Sequence, residues 1–261
     1  MKLSVIVPSI RPEGLTRLCD SIDIDDFEVI AIGPYFTDYY GENDKYELQT
    51  TFIKSFRSPN ACKQQGLLEA TGEYVTFCAD DGVFLPGALD EAFDHLMWVH
   101  TGDILHGKEI VVGKYLEGNN PVNMEYKDYY KFKYHKAYRL PGVPQENLIF
   151  NCGIISREFM LELGGWDAQN FDCTTVAHAD LGIRACSAGG EMILMDKPMF
   201  QCSHLHGNTG DHGPINRAMK RDLKNFAKIY ERTEDRIQIP LDNWERTPEQ
   251  WAERFGNGKT I

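Results

Sequence analysis

No stretch of this sequence approaches the roughly 18 consecutive apolar residues of a membrane-spanning helix, and none of its seven cysteines forms a Cys-x-x-Cys pair. The first absence describes a soluble chain whose contact with a membrane, if any, is peripheral. The second removes the common zinc and dithiol motifs. Seven is also an odd number, and several of these cysteines sit inside apolar runs, so buried, reduced thiols and a cytoplasmic protein are expected. Met1 to Pro8 holds only a short apolar stretch ended by proline, too little for a signal peptide. Positive charge is in short supply as well: 27 Lys and Arg against 39 Asp and Glu leave a net charge of −12. That balance argues against non-specific coating of nucleic acid, although a local basic patch is compatible with it. No internal repeat or low-complexity linker divides the 261 residues, a length that buries a sizeable core and suits one α/β domain.

What the sequence does have is organised around Gly72-Glu73-Tyr74-Val75-Thr76-Phe77-Cys78-Ala79-Asp80-Asp81-Gly82, an apolar β-type run ending in two adjacent carboxylates. A buried strand that delivers acids at its C-terminal end is how an open α/β sheet presents ligand chemistry. A polar turn closing the strand would use the same residues, so the flanks decide what the pair means.

In chain order, Leu3 to Val7 reads as a central parallel strand, Leu15 to Ile22 as a short helix and Phe27 to Pro34 as a second strand, a β-α-β start. Thr51 to Phe56 supplies a third strand and Asn60 to Ala70 a helix. Gly87 to Val99 is amphipathic, Ile104 to Val112 a strand, and Ile215 to Arg232 a helix whose Met219, Leu223, Phe226 and Tyr230 share one face. A last helix is expected to start at Thr247-Pro248-Glu249-Gln250, which has capping-box spacing.

The flanks of the Asp pair carry a longer pattern: Lys63-Gln64-Gln65-Gly66-Leu67, Ala70-Thr71-Gly72-Glu73-Tyr74, the strand, Asp80-Asp81, then Pro86. Over these twenty-odd residues the chain resembles the family 2 glycosyltransferases of the GT-A fold. The resemblance implies an α/β GT-A fold: a mostly parallel central sheet flanked by helices, with a Rossmann-like nucleotide-binding half and an acceptor half. It divides the chain into a single domain over 1–239 and a C-terminal helical extension over 240–261. Within the domain, 1–91 forms the nucleotide-sugar half, 92–214 the acceptor half and 215–239 a helix on the sheet. It also implies that Pro8, Ser9 and Arg11 lie against the base and ribose of a nucleotide diphosphate sugar, and that Lys63 points to the diphosphate. Asp80 would meet the ribose or the metal shell, and Asp81 the metal. The second strand departs from the family: it ends in Ile32-Gly33-Pro34-Tyr35, where members usually carry acids that read the base. This leaves the nucleotide open, with a UDP-sugar the first expectation.

Resemblance resumes at Asn151 to Phe159 and runs through Leu163-Gly164-Gly165-Trp166-Asp167 to Ala177-His178-Ala179-Asp180-Leu181-Gly182-Ile183-Arg184. In the family the Gly-Gly-aromatic-Asp turn, here Gly165, Trp166 and Asp167, sits beside the donor sugar. An acidic pair opening the next helix supplies the general base that takes the proton of the acceptor hydroxyl. Counted back from Arg184, His178 falls on the base position and Asp180 two residues later. Imidazole and carboxylate are both capable of the task, and chemical type favours Asp180. His204 best matches a family metal ligand after the last strand, and with Asp81 it would hold Mn²⁺ or Mg²⁺.

Residues 126–139 interleave five Tyr and one Phe with four Lys, one Arg and one His. The resemblance does not cover 92–145, where acceptor specificity is expected. A glycan or glycoconjugate acceptor ranks first. Hydroxymethylated DNA bases are an alternative, because aromatics stack on bases while cations meet phosphate. A non-catalytic nucleotide- or glycan-binding module on the same fold is the other.

Overall fold

The structure is a computed structural model and describes residues 2–34, 49–101, 107–117, 125–127, 131–133, 146–148, 153–202, 212–232 and 236–245. Its centre is one sheet. Strands β1 (Leu3–Pro8), β2 (Phe27–Gly33), β3 (Thr50–Lys54) and β4 (Tyr74–Phe77) run parallel in the spatial order β3-β2-β1-β4. The sheet then continues through β10 (Ile154–Ser156), β6 (Glu109–Glu117), β11 (Glu191–Cys202) and β5 (Gly82–Phe84), with β7 (Glu125–Lys127) paired to β6. Strand β10 is antiparallel to both β4 and β6, and β5 is antiparallel to β11. A separate two-stranded ribbon joins β8 (Lys131–Lys133) to β9 (Glu146–Leu148).

Alternation along the strands explains why both faces are covered. Leu3, Val5 and Val7 of β1, with Val29 and Ala31 of β2, join one core with Leu15 and Leu18 of α1 (Leu15–Asp20) and Leu89, Ala92 and Leu96 of α3 (Ala88–Thr101). Ile6, Ile30 and Ile32 face the other way. They meet Leu67 of α2 (Pro59–Glu69), Phe159 of α4 (Arg157–Glu162), Val176 of α5 (Thr174–Ser187) and Phe226 of α6 (His212–Arg232). A period of two with apolar residues on both sides is the signature of a sheet sandwiched between helical layers. Gly66 lets α2 lie close: a Cβ there would stand 2.5 Å from Ile6 and 2.7 Å from Ile32. The helix begins with Ser58 as N-cap, its hydroxyl accepting from the Ala61 N–H, and with Pro59 in the first turn.

The expected elements are present with shifted ends. The strand expected over 104–112 spans Glu109–Glu117, because its ladder is set by pairing with β10 and β11 and not by where its apolar run begins. The helix after β5 starts one residue beyond Gly87, which takes φ +72° while its N–H donates to Asp23. The helix expected from Ile215 already starts at His212.

At the N-terminal ends of the parallel strands, Glu28 ties three segments together. Its carboxylate accepts from the Ser4 hydroxyl at 2.6 Å, the Thr71 N–H at 2.7 Å and the Gly72 N–H at 3.1 Å, with Lys2 beside it at 3.2 Å. Burial opposes this charge, but the hydrogen bonds from Ser4, Thr71 and Lys2 prevail and hold the Glu28 carboxyl below its ordinary range.

The chain beyond α6 returns to the body. Residues 236–240 lack regular structure and lead into a 3-10 turn over Leu241–Trp244. The Ile239 N–H donates to the Leu163 carbonyl, and the Asn243 side chain accepts from the Ala168 N–H at 2.8 Å. Residues 240–245 are therefore packed on the domain, whereas the helix expected from Thr247 lies outside the described residues.

Among those residues Cys19, Cys62, Cys78, Cys173 and Cys202 are buried, Cys186 is half-buried, and all six are free thiols. Burial pushes the Cys62 thiol up to about 12, consistent with an inert core group.

Candidate active site

The strand order 3-2-1-4 places a switch point between β1 and β4, where the chain leaves β1 toward β2 on one side and leaves β4 toward β5 at the opposite end of the sheet. Crevices at such points lie outside the C-terminal ends of the strands and hold ligands. Here that crevice contains the loop after β1 and the carboxylates after β4.

Asp80 is 3% exposed and organises the loop. Its Oδ2 accepts from the Ser9 hydroxyl at 3.0 Å, the Ile10 N–H at 3.0 Å and the Arg11 N–H at 2.9 Å. Its Oδ1 accepts from Arg11 Nε at 3.2 Å and from a second Arg11 nitrogen at 2.7 Å. Both oxygens are thus engaged by the loop expected to bind base and ribose, so Asp80 shapes that loop from beneath.

Asp81 faces differently. Its Oδ2 lies 3.1 Å from the Arg11 guanidinium, its Oδ1 accepts from the Cys202 thiol at 2.7 Å, and its carbonyl accepts from Arg17 at 3.0 Å. Two carboxylates therefore share one guanidinium. Burial opposes the Arg11 charge, but Asp80 and Asp81 outweigh it and raise the guanidinium above its ordinary range, so this cation is permanent. Gly14 completes the fit, since a Cβ there would overlap the Asp80 carbonyl.

The second part of the site is the turn at 164–167. Gly164 and Gly165 adopt φ +81° and +75°, values that L side chains rarely take, which accounts for the glycine pair. Helix α2 reads the turn through its amides. Gln64 donates to the Gly164 carbonyl at 3.0 Å and accepts from the Trp166 N–H at 2.7 Å, while Asn60 donates to the carbonyls of Asp167 and Phe171, each at 3.0 Å. Trp166 is fully buried, edge-on to Phe77 with ring centroids 5.0 Å apart, and Asp167 is 2% exposed. Both belong to the turn expected beside the donor sugar, and both side chains are enclosed by the protein.

Helix α5 carries the two candidate bases. Two positions on a helix differ by about 200° in direction, and His178 and Asp180 diverge accordingly. Asp180 has no exposure. It accepts from Arg184 at 2.9 Å, from the Tyr230 hydroxyl at 2.7 Å and from Arg236 at 2.7 Å. Arg236 also pairs with Asp167, and Arg184 donates to the carbonyls of Leu163 and Gly165 at 2.8 and 2.7 Å. Asp180 is thus a carboxylate enclosed by three donors within the fold.

His178 turns to the other side, against the Trp166 ring at 5.0 Å and with Nε2 2.7 Å from Nζ of Lys63. Lys63, 4% exposed, also lies 4.5 Å from the Trp166 ring centroid. Burial first, and the Lys63 charge second, hold the His178 imidazole well below its ordinary 6.5, so the ring is neutral at physiological pH. The Lys63 ammonium, expected at the diphosphate, is engaged with the imidazole.

Of the residues singled out from the sequence, Ser9, Arg11, Asp80 and Asp81 form one cluster. Lys63, Gly165, Trp166, Asp167 and His178 form another, and Pro8 ends β1 at the first. His204 lies outside the described residues, as do nine of the fourteen residues of 126–139. Arg17, Asn60, Tyr230, Arg236 and Cys202 were missed as site components. Asn60 precedes the Lys63-Gln64 motif by one helical turn and was legible as a face-sharing neighbour. Arg236 had no local signal.

No protein-family model matches the chain, and no curated protein matches it in sequence. In three dimensions it is similar to S. aureus TarS, with a TM-score of 0.55 and 18% identity over 78% of this chain and 37% of that one. It is also similar to TarS 1–349 in complex with UDP-GlcNAc, with a TM-score of 0.52 and 17% identity over 86% of this chain and 66% of that one. For TarS 1–349 in complex with UDP the TM-score is 0.53, at 18% identity over 77% and 60% of the two chains. The chain thus spans about a third of the full-length TarS structure. The fold is the mixed α/β architecture, mostly parallel at its centre and flanked by helices, that these glycosyltransferase structures share. Among the described residues, no helix is long and apolar enough to cross a membrane.

Proposed function

We propose that the protein is a glycosyltransferase that moves a sugar from a nucleotide diphosphate sugar, with a UDP-sugar as the first candidate, to an acceptor hydroxyl with inversion. The observation that carries this reading is the switch-point crevice itself. A loop pinned by Asp80 and a carboxylate from Asp81 meet at the C-terminal ends of β1 and β4, in a fold shared with proteins crystallised with UDP and UDP-GlcNAc.

In this reading the β1 loop, with Pro8, Ser9 and Arg11, receives the nucleoside. His178 is the base, and its direction supports that choice over Asp180. The acceptor proton moves to an imidazole nitrogen as the hydroxyl oxygen attacks the anomeric carbon, and the bond to the diphosphate oxygen breaks with its electron pair. One base and an anionic leaving group suffice for a single displacement.

Among the described residues no three His, Cys, Asp or Glu side chains gather into a ready metal centre. That donor set fits an ion held chiefly by substrate phosphates, with one protein carboxylate. Asp81 would hold it, joined by His204 from the following segment. When bound, Mn²⁺ or Mg²⁺ would neutralise charge on the departing diphosphate.

Acceptors rank as the sequence ranks them: a glycan or glycoconjugate first, hydroxymethylated DNA second. The test is turnover of a panel of nucleotide sugars, with and without Mn²⁺, against both acceptor types. Transfer to a glycan with inverted configuration by NMR is expected. Tight nucleotide binding without transfer or hydrolysis under any condition would favour a non-catalytic binding module.

A further inference from the structure

Helix α6 inverts the charge balance of the chain. Residues 212–232 hold six Lys and Arg against two Asp and Glu, a net +4 in a chain of −12, so the other 240 residues together carry −16. One of the two acids, Asp222, is buried: it accepts from the backbone N–H groups of Asp172 and Cys173 at 2.9 and 2.6 Å and pairs with Arg221 at 2.9 Å. Glu231, one residue from the end of the helix, is the other.

Lys220, Lys224 and Lys228 stand four residues apart, and all three are exposed. Successive members turn by about 40° and rise by about 6 Å, so the three lysines form one row about 12 Å long on the outer side of the helix. Leu223, 48% exposed, borders the row. The inner side fixes the helix in place. Phe226 and Tyr230 are buried, Phe226 lies 6.3 Å from the Phe171 ring, and Asn225 donates to the Asn170 carbonyl at 2.9 Å. The row thus stands on a platform fastened to residues 170–173, which lead from the Gly164–Asp167 turn into α5.

Two anionic surfaces offer phosphates to such a row, a lipid headgroup layer and a nucleic-acid backbone. A membrane is a plane that also meets whatever surrounds the helix, in a chain whose remainder carries −16. For insertion the described outer side of α6 offers one exposed large apolar side chain, Leu223. A polymer backbone is a line and needs only the row. Phe226 and Tyr230 face the core, so the described outer side has no ring to stack on bases, and contact there is with phosphate.

We propose that the outer side of α6 is a docking surface for the backbone of double-stranded DNA, in which Lys220, Lys224 and Lys228 each neutralise one phosphate. The inference goes beyond the proposed reaction: it gives the second-ranked acceptor a place of contact, and the docking stands whether or not a sugar is transferred. Each neutralised phosphate releases counterions, so three contacts contribute a salt slope of about 2.7, roughly a 40-fold loss of affinity between 50 and 200 mM salt.

The experiment measures binding of a short labelled DNA duplex to the full chain by fluorescence anisotropy across that range of NaCl. Wild type is compared with Lys224→Gln, with the triple change Lys220→Gln, Lys224→Gln and Lys228→Gln, and with the same triple change to Arg. Wild type is expected to bind at low salt and to show at least the 40-fold loss. The triple Gln variant should bind more weakly with a slope lower by about 2.7, Lys224→Gln with a slope lower by about 0.9, and the triple Arg variant like wild type. No binding by wild type at low salt, or an unchanged slope in the Gln variants, overturns the proposal. Binding to vesicles of phosphatidylcholine and phosphatidylglycerol without binding to the duplex assigns the row to lipid and overturns it too. Calorimetry with UDP keeps the two readings apart. UDP bound without duplex removes the docking surface and spares the reaction, whereas duplex bound without UDP or any other nucleoside diphosphate removes the reaction and spares the docking surface.

Discussion

Gln64 and Trp166 are 102 positions apart in sequence, yet the side-chain oxygen of one holds the backbone N–H of the other at 2.7 Å. The same amide donates to the carbonyls of Gly164 and Leu241, each at 3.0 Å. One residue of α2 therefore satisfies the backbone of a turn too irregular to satisfy itself and fastens the C-terminal segment to it. Gly165 is required by the same contact, since a Cβ there would overlap Gln64 Oε1.

Gln64→Leu keeps the volume and removes all three hydrogen bonds. Leaving buried backbone groups unpaired costs roughly 1–3 kcal/mol for each group, and relaxation of the turn recovers part of the sum. A loss of about 3 kcal/mol in urea unfolding is expected, larger than for Gln65→Leu. Equal losses in the two variants would deny Gln64 this role.

Arg236 bridges Asp167 and Asp180, all three largely buried. Removing one member of a buried ionic set commonly costs about 3–5 kcal/mol, because the partners stay behind without their counter-charge. Arg236→Met is expected to destabilise by that amount. Adding Asp180→Asn should restore part of it, as a double-mutant cycle reads directly. Strict additivity would show that the two residues are not coupled.

The adjacent carboxylates should separate under substitution. Asp80→Asn loses charge-assisted bonds to the β1 loop and is expected to lower both thermal stability and UDP affinity, whether or not Mn²⁺ is present. Asp81→Asn loses one ion pair with Arg11 and is expected to lower stability less than Asp80→Asn, and to weaken binding only in the presence of Mn²⁺. Calorimetric titrations of UDP into each variant, with and without the ion, make the distinction. Identical profiles for the two would remove the division of labour.

Glu28 makes stability depend on pH. Its folded carboxyl is held below the unfolded value, so its contribution is complete above about 4.3, the ordinary glutamate range, and is lost as pH falls through the lower folded value. Below that range, protonation is complete in both states and the contribution is gone. Glu28→Gln should therefore narrow the difference in urea midpoint between pH 6 and pH 3. An unchanged difference would mean that other carboxylates carry the acid sensitivity.

The part of the fold built on β1 to β4 was legible because its signals are local. Apolar runs mark β1, β2 and β4, and the spacing of residues 60–70 marks α2. The strand order was legible only as a class. The insertion of antiparallel β10 between β4 and β6 depends on long-range pairing that no window of sequence contains. At the site, Asp80 and Asp81 were found by their position at a strand end, but adjacency could not say which one faces inward. His178 and Asp180 posed the same problem on a helix. The answer came from Tyr230 and Arg236, fifty and more positions away, which claim Asp180 for the interior. Trp166 was recognised by motif, but a motif reports that a residue matters and not that its ring is buried against Phe77.

The return of residues 236–245 across the 164–167 turn has a consequence for how the protein is made. On a ribosome the sheet, α2 and α5 all emerge before Arg236, so Asp167 and Asp180 exist for a time as neighbouring buried acids without their shared cation. The site is therefore closed last, by the segment synthesised after everything it stabilises. A nascent chain halted just short of residue 236 would carry every group proposed for chemistry and lack the fastening that keeps them in register. For such a chain, release from quality control would depend on the ten residues 236–245.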